Sequence, residues 1–284
     1  MELSDLEVFR AVVESGGVIK AAERLHRVPS NITARIQKLE QNLQVSLFHR
    51  DRNRLHLSIE GERLLGYTHQ LMALADEARR AVTGQQLSGE LRLGSMESTA
   101  AVRLPPLLTD FHHKFDAISL VLSTGPTGLL IDQVLAGEID LAFVADPVED
   151  ERLQRRPVFS ETLVIVGPSG LALNDASTLL AFNAQCAYRQ CAVAWLKSMK
   201  HQARVIEIAS YHALLSCALA GMGIGIVPQS LLADYPYADR LQCLELPAAF
   251  RNSTTHLIWR KDRANGLVDA FVEFMSFPRA ITNT

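Results

Sequence analysis

A cluster of basic residues near the start of the chain has the composition of a phosphate-binding surface. The chain carries a formal net charge of −3, yet between Lys20 and His56 eight cations stand against three anions. Lysine and arginine neutralise DNA phosphates, whereas an acidic remainder does not bind them. The segment therefore indicates DNA binding, although such a run considered alone also fits a solvated surface. The cations are Lys20, Arg24, Arg27, Arg35, Lys38, Arg50, Arg52 and Arg54.

The cysteines do not have the spacing of a metal or disulfide site. The chain has four of them, without a CxxC pair or paired histidine spacing. We expect buried thiols in a reducing compartment, with a redox or covalent role for one of them left open. We therefore predict no metal and no cofactor. The four are Cys186, Cys191, Cys217 and Cys243.

A glycine-rich segment, 221–228, resembles a dinucleotide fingerprint only superficially. Such a fingerprint needs a strand before its glycines and a helix after them. Here a helix predicted at 213–220 comes first, and a strand ending in Pro228 follows. We interpret the glycines as a helix cap and a site of close packing.

Three helices and a hairpin are predicted to position the basic residues. Apolar residues at helical spacing indicate helices at about 3–15 and 18–26, separated by Gly16 and Gly17. A third helix is expected to begin near Ser30, taken as its N-cap. The segments around Phe48 and Leu57 indicate a hairpin with cationic edges. This is the pattern of a winged helix-turn-helix, with an ordinary three-helix bundle as the alternative.

The third helix has the side chains that a helix in the major groove needs. Ile32, Ile36 and Leu39 are predicted to face the core, while short polar residues and cations face outward. Short polar groups reach base edges, and longer cations contact phosphates. The predicted DNA-binding residues are Arg27, Pro29, Ser30, Asn31, Thr33, Arg35, Lys38, Arg50, Arg52 and Arg54.

A long helix is predicted from Ile59 to about Gln86. Its apolar residues alternate at steps of four and three, which is the seam of a two-helix coil. These apolar residues can be buried in two ways, by pairing with the same helix of a second copy or by packing onto the chain's own C-terminal domain. The seam consists of Leu64, Thr68, Leu71, Ala75, Ala78 and Val82.

From Glu90 onward, strands alternate with helices, which indicates a parallel sheet built from βαβ units. Strands are predicted at 91–95, 118–123, 140–144 and 163–166. A helix with Pro105 and Pro106 in its early part follows the first strand, and a helix closed by Gly137 follows the second. Ligands bind at the carboxyl ends of such strands, near helix N-termini.

The run AAERLHRVPSNITARIQKLEQNLQVSLFHRDRNRLHLSIEG resembles the DNA-binding head of LysR-type regulators along its whole length. Members usually carry Ser-Arg in place of Thr33-Ala34, often Gln in place of Arg35, and Thr-Pro-x-Gly in place of Ser58–Gly61. The resemblance implies that the long helix pairs two subunits, and that the α/β part is a two-lobed effector domain with a periplasmic-binding-protein fold.

The expected organisation has three parts. Residues 1–58 form the winged head, 59–88 the linker helix and 89–284 the effector domain. Its lobes would cover about 90–160 with 256–284, and about 161–255, with crossovers at Leu163–Val166 and His256–Trp259. An effector would lie between the lobes, against Glu97, Ser98, Thr99, Thr124, Thr127, Tyr188, Arg189, Tyr211 and His212.

Glu97 would favour an ammonium, whereas helix N-termini, hydroxyls and Arg189 would favour a carboxylate. The motifs ESTAAVR, STGPTG and CAYR look similar to those of regulators linked to putrescine and 4-aminobutyrate catabolism. A diamine or a small amino or organic acid is therefore the expected effector.

The expected function is a DNA-binding, effector-responsive regulator, acting as a homodimer or homotetramer on double-stranded DNA. A small-molecule-binding protein or enzyme is the alternative, against which the chain shows no nucleophile elbow and no P-loop. A purely architectural DNA binder would not need so large an α/β domain. No apolar stretch of membrane-spanning length occurs and the N-terminus is acidic, so we expect no membrane and a cytoplasmic location.

Overall fold

The structure is a computed structural model that describes residues 1–51, 54–83, 87–170, 177–262 and 266–276. Contacts between residues divide it into two compact units, one made mainly of the described residues up to 83 and the other of those from 87 onward. Arg52 lies outside the described residues, as do the side chains of Arg50 and Arg54.

Three helices and a hairpin form the head of the first unit. Their inward side chains share one core, which includes Phe9, Ile32 and Leu39. Gly16 has a φ of +71°, a left-handed conformation that ends α1 without strain. The elements are α1 (Leu3–Glu14), α2 (Val18–Arg24), α3 (Pro29–Leu43), β1 (Phe48–Asp51) and β2 (Arg54–Leu57).

The long helix α4 (Ile59–Thr83) follows the hairpin directly. Gly61 makes this junction possible, because a Cβ at that position would lie 2.2 Å from the Leu47 carbonyl oxygen. The junction is fixed by Ser58, whose hydroxyl donates to the Ser46 carbonyl at 2.6 Å and accepts from the Gly61 N–H at 2.9 Å. Ser58 therefore caps the start of α4 and ties it to the hairpin.

The α/β unit contains nine of the described strands in one continuous sheet, in the order β4-β3-β5-β11-β6-β9-β7-β8, with β10 beside β6. Its strands are β3 (Gly89–Ser95), β4 (Ile118–Thr124), β5 (Leu141–Ala145), β6 (Leu153–Pro168), β7 (Thr178–Ala181), β8 (Arg204–Glu207), β9 (Ile224–Pro228), β10 (Leu241–Glu245) and β11 (Asn252–Arg260). Its helices are α5 (Glu97–Val102), α6 (Leu104–Lys114), α7 (Thr127–Ala136), α8 (Ala187–Ser198), α9 (Tyr211–Leu219), α10 (Ala248–Arg251) and α11 (Gly266–Phe274).

The two lobes share the sixteen-residue strand β6. Residues 153–162 of β6 pair with β11, whereas 163–168 pair with β9 and β10. An aromatic cluster that includes Phe111, Phe143 and Phe271 fills the first lobe. Trp195, Leu179 and Ile226 belong to the core of the second.

Two details differ from the sequence-based predictions. Residues 97–102, which precede the predicted helix with Pro105 and Pro106 in its early part, form a separate short helix, α5, and the predicted helix is α6; proline is favoured in the first turn of a helix. The predicted crossover at 163–166 lies wholly in the second lobe's sheet, and that at 256–259 wholly in the first. The chain crosses instead near Thr162 and between β10 and β11.

Within the described residues, the structure contains no helix that is both long and apolar enough to span a membrane.

Candidate functional site

Helix α3 presents a polar face away from the core of the head. Ile32 and Leu39 are fully buried, whereas Asn31 and Lys38 on the same helix are exposed. Pro29 occupies the first turn and Val28 is the N-cap, with no side-chain cap bond. The predicted N-cap role of Ser30 was therefore wrong, and its exposed hydroxyl lies within the first turn.

Arg35 does not project outward as predicted. Its guanidinium lies 3.3 Å from the Asp5 carboxylate and donates to the Ser4 hydroxyl at 3.0 Å, both on α1. The Asp5 side chain is only 7% exposed, and a buried carboxylate needs such a partner. Arg35 therefore joins α3 to α1, and the proposed DNA-reading set loses its central cation.

Thr33 is also partly engaged inside the head. Its hydroxyl donates to the Pro29 carbonyl at 3.0 Å, within the same helix. Arg27 and Pro29 are exposed at the start of α3. The free polar groups of α3 are therefore concentrated on one face, with Ser30, Asn31 and Lys38.

The hairpin carries a histidine pair that the sequence analysis missed. His49 and His56 are opposed in the register of β1 and β2, both are exposed, and their rings stack with centroids 6.0 Å apart. Phe48 and Leu57, the neighbouring pair, pack against the head core. Only the pairing register, which the sequence pattern does not give, brings the two imidazoles together.

Helix α4 is joined to the head by a charged cluster around Glu14 of α1. The Glu14 carboxylate lies 3.8 Å from His69 of α4, 2.7 Å from Arg24 and 3.7 Å from Arg10. His69, Arg24 and Arg10 lower the pKa of Glu14 to about 2, and partial burial acts in the opposite direction. A carboxylate in this position stabilises the packing of α4 on α1.

The apolar stripe of α4 divides into two parts. Leu64 packs against the head core and Thr68 is buried, so the beginning of the predicted seam is not available to another chain. An exposed stripe continues from there, shifted around the helix. Its large members are Tyr67, Leu71, Leu74 and Val82.

A cleft of about 370 Å³ lies between the lobes of the α/β unit. It is lined by the turns that follow β3 and β4 in the first lobe and β7 and β8 in the second. Because the carboxyl ends of these parallel strands meet there, the cleft lies where an α/β sheet binds ligands. The polar or aromatic lining residues are Glu97, Thr124, Thr127, Phe182, Asn183, Tyr188, Glu207 and Tyr211.

Two of the predicted cleft residues have their polar groups bound within the protein. The Thr127 hydroxyl accepts from the Ala145 N–H at 3.2 Å. Arg189 is outside the lining and donates to the Phe182 carbonyl at 2.8 Å and to Glu207 at 2.9 Å.

Three other predicted residues do not line the cleft directly. Ser98 and Thr99 are buried behind it, and His212 is exposed elsewhere. Of the predicted set, the structure brings together as lining residues Glu97, Thr124, Thr127, Tyr188 and Tyr211.

Phe182, Asn183 and Glu207 were missed. They follow or end the short strands β7 and β8, and these strands were not predicted. The rule that ligands bind at strand ends would have found them once the strands were known.

The Tyr188 hydroxyl is buried in the cleft wall and makes no hydrogen bond of ordinary geometry with any described residue. The same is true of the Ser98 hydroxyl behind it. Burial raises the pKa of Tyr188 and the Glu161 carboxylate acts in the same direction, against Ser253 and Ser98, which lower it. Tyr188 is therefore a neutral phenol whose hydroxyl has no well-formed hydrogen bond.

Burial also raises the pKa of the Cys186 thiol in this wall. A thiol whose pKa is raised is less nucleophilic at neutral pH.

Two family models match the chain. One, described as "Bacterial regulatory helix-turn-helix protein, lysR family", matches residues 3–62, and the other, "LysR substrate binding domain", matches residues 84–276. The regulator YofA of Bacillus velezensis is 37% identical over 100% of this chain and 99% of its own. YusT of Bacillus subtilis, an uncharacterized transcriptional regulator, is 35% identical over 92% of this chain and 90% of its own.

Solved structures share the fold. Full-length OxyR from Pseudomonas aeruginosa superposes with a TM-score of 0.78 at 20% identity, covering 98% of this chain and 99% of that one. CbnR in complex with its target DNA gives a TM-score of 0.66 at 23% identity, covering 97% and 99%.

Proposed function

The chain belongs to the LysR family of DNA-binding transcriptional regulators, with a substrate-binding effector domain, and we propose that it reads DNA with the exposed face of α3 and responds to a small molecule in the cleft. It is a regulator and not an enzyme. The assignment of individual DNA-reading residues is supported by α3, which has one buried apolar face and one exposed polar face.

Base reading is assigned to the start of α3. Ser30 and Asn31 are short, polar and exposed there, and an asparagine amide matches the hydrogen-bonding edge of adenine. Arg27 and Lys38 are exposed near the two ends of this face, where they would contact phosphates. Arg50, Arg52 and Arg54 of the hairpin are proposed to follow the backbone or the minor groove.

The exposed stripe of α4 is proposed to pair with a second copy of the chain. Leu71 and Leu74 are 38% and 51% exposed, and apolar side chains at this spacing are buried in two-helix coils. Two paired α4 helices hold two heads at a fixed separation, which suits two DNA half-sites about one helical turn apart. A homodimer is the unit proposed, with a homotetramer as its further association. The protein would act in the cytoplasm, where bacterial DNA is.

The cleft is proposed as the effector site. A volume of about 370 Å³ lies towards the lower end of ligand pockets, roughly 300–1,000 Å³. The effector is accordingly a small molecule, proposed to be an amine or diamine, an amino acid or an organic acid.

Footprinting on the DNA upstream of the protein's own gene tests this proposal. The full chain should protect a defined segment, and Asn31→Ala should weaken that protection at particular bases. Because phosphate contacts release counterions, the affinity should fall steeply with salt. Equal protection of all sequences at every salt concentration would refute sequence-specific reading.

A further inference from the structure

The charges that line the cleft are negative. Among the described lining residues, the ionisable carboxylates are Glu97 in the first lobe and Glu207 in the second, and no lysine or arginine lines the cleft. Arg189, which follows the lining residue Tyr188 in the sequence, already donates to Glu207 and to the Phe182 carbonyl. An anionic effector would therefore find no lysine or arginine side chain among the described lining residues with which to form an ion pair.

Two of the helix N-termini at the cleft, those of α7 and α9, have N–H groups that already donate within the protein. The Tyr211 N–H at the start of α9 donates across the cleft to Glu97 Oε1 at 3.1 Å, and Ala213 N–H donates to Ser210. At α7, the Gly128 N–H donates to the Gln185 carbonyl at 3.0 Å. To bind at the α9 N-terminus, which would ordinarily attract an anion, an effector carboxylate would have to displace Glu97 from the Tyr211 N–H.

The apolar part of the wall suits a cation. Phe182 and Tyr211 pack with ring centroids 4.8 Å apart, and both line the cleft. The faces of aromatic rings carry negative potential and attract ammonium groups. Glu207 is already paired with Arg189, so it is the Glu97 carboxylate beside the two rings that favours an organic cation over a neutral or anionic ligand.

A second, independent observation points to the other end of the ligand. Tyr188 is 4% exposed and lines the cleft, and its hydroxyl makes no hydrogen bond of ordinary geometry in the described part of the chain, although the Ser98 and Ser253 hydroxyls lie close enough to lower its pKa. A buried donor of this kind ordinarily has a partner, and its absence costs free energy. A hydroxyl or carbonyl oxygen of the ligand would satisfy it.

We propose that the cleft selects an organic cation that also carries a hydrogen-bonding oxygen, and that Glu97 is the residue that sets this selectivity. The inference rests on the proposed function, in that it takes the cleft as the effector site. Glu97 acts twice: one oxygen fills the α9 N-terminus and so excludes ligand anions, while the charge of the carboxylate attracts the ammonium group.

Calorimetric titration of the full chain with three four-carbon probes tests the proposal. The probes are 1-aminobutane, 4-amino-1-butanol and butanoate. The amino alcohol should bind most tightly, because it supplies both the cation and the oxygen, then the amine. Butanoate should not bind.

Glu97→Gln is the informative variant, because its amide oxygen can still accept from the Tyr211 N–H and only the charge is lost. It should weaken binding of both amines by about tenfold or more. Tyr188→Phe should weaken the amino alcohol and leave 1-aminobutane unchanged. The control is Glu151→Gln, an exposed carboxylate outside the cleft, which should bind all probes as the parent does.

The inference is overturned if neither amine binds, if butanoate binds as tightly as the amines, or if Glu97→Gln binds the amines unchanged. DNA binding by the same preparations separates this result from the proposed function. A chain that binds its DNA but not the amines keeps its function and loses this effector class, whereas a chain that binds no DNA contradicts the function itself.

Discussion

The Arg35 guanidinium on α3 lies 3.3 Å from the Asp5 carboxylate on α1, at the edge of the head core. The pair joins the proposed DNA-reading helix to the helix that it crosses. Because Asp5 is buried and Arg35 is about one-third exposed, the partner that needs the interaction more is Asp5. Arg35, the most central cation of α3, therefore helps to hold α3 in its orientation against α1.

Removing Arg35 should lower stability before it affects DNA reading. Arg35→Ala leaves Asp5 buried without its cation, at a cost of about 1–3 kcal/mol in the free energy of unfolding. Lys38→Ala, at an exposed site, should change stability by less than about 0.5 kcal/mol and weaken DNA binding by about 1–3 kcal/mol. Urea denaturation and fluorescence anisotropy separate the two. The reverse pattern, with Arg35→Ala stable and Lys38→Ala unstable, would show that the roles are exchanged.

The cluster around Glu14 should make the head sensitive to acid. The pKa of Glu14 is lowered from 4.5 to about 2 in the folded chain, so its contribution is complete above about pH 4.5 and is lost as the pH falls towards 2. Glu14→Gln should cost about 1–2 kcal/mol at pH 7 once solvent screening at a partly exposed site is allowed for. The stability difference between parent and variant should shrink between pH 4.5 and 3. If this stability difference stays constant between pH 4.5 and 3, the charge of Glu14 is not its cause.

The exposed stripe of α4 should control the oligomeric state. Leu71→Glu places a charge where the proposed partner helix packs, at a cost of several kcal/mol, and should shift the sedimenting species towards the monomer. Glu62→Lys is a matched control, because nine residues at about 100° each place it on the opposite side of the helix. If Leu71→Glu sediments with the parent, the stripe does not pair two copies.

Thr127 should matter to the first lobe as well as to the ligand. Its hydroxyl accepts from the Ala145 N–H and lies 3.5 Å from the Met96 sulfur. Thr127→Val leaves that N–H without an acceptor and should cost about 1–3 kcal/mol of stability in the absence of any ligand. Thermal unfolding of the ligand-free variant measures this. An unchanged transition would indicate that the hydroxyl is free for the effector.

The elements of the head could be predicted because their patterns are short and regular. The predicted burial of Ile32, Ile36 and Leu39 on one face of α3 is confirmed. The same pattern failed for Arg35, which follows Ile32 by three residues and precedes Leu39 by four. It therefore borders the buried face, and its direction depends on Asp5, thirty positions away in the sequence.

The cleft was harder to predict for a topological reason. Thr124 ends β4, and Thr127 follows this strand, whose apolar run is evident in the sequence. Phe182 and Glu207 follow or end strands of four residues each, too short to show a period. The partnership of Arg189 with Glu207, which removes the expected carboxylate-binding fork, arises only when β7 and β8 pair.

Selection from a random pool of DNA duplexes by the full chain measures sequence-specific reading most directly. A dimer that reads base edges with two copies of α3 should enrich one motif with two half-sites related by a dyad, about one helical turn apart. The affinity for this motif should exceed that for a scrambled duplex by at least about a thousandfold at physiological salt. A pool that remains random after repeated selection, with equal affinity for selected and scrambled duplexes, would contradict the account.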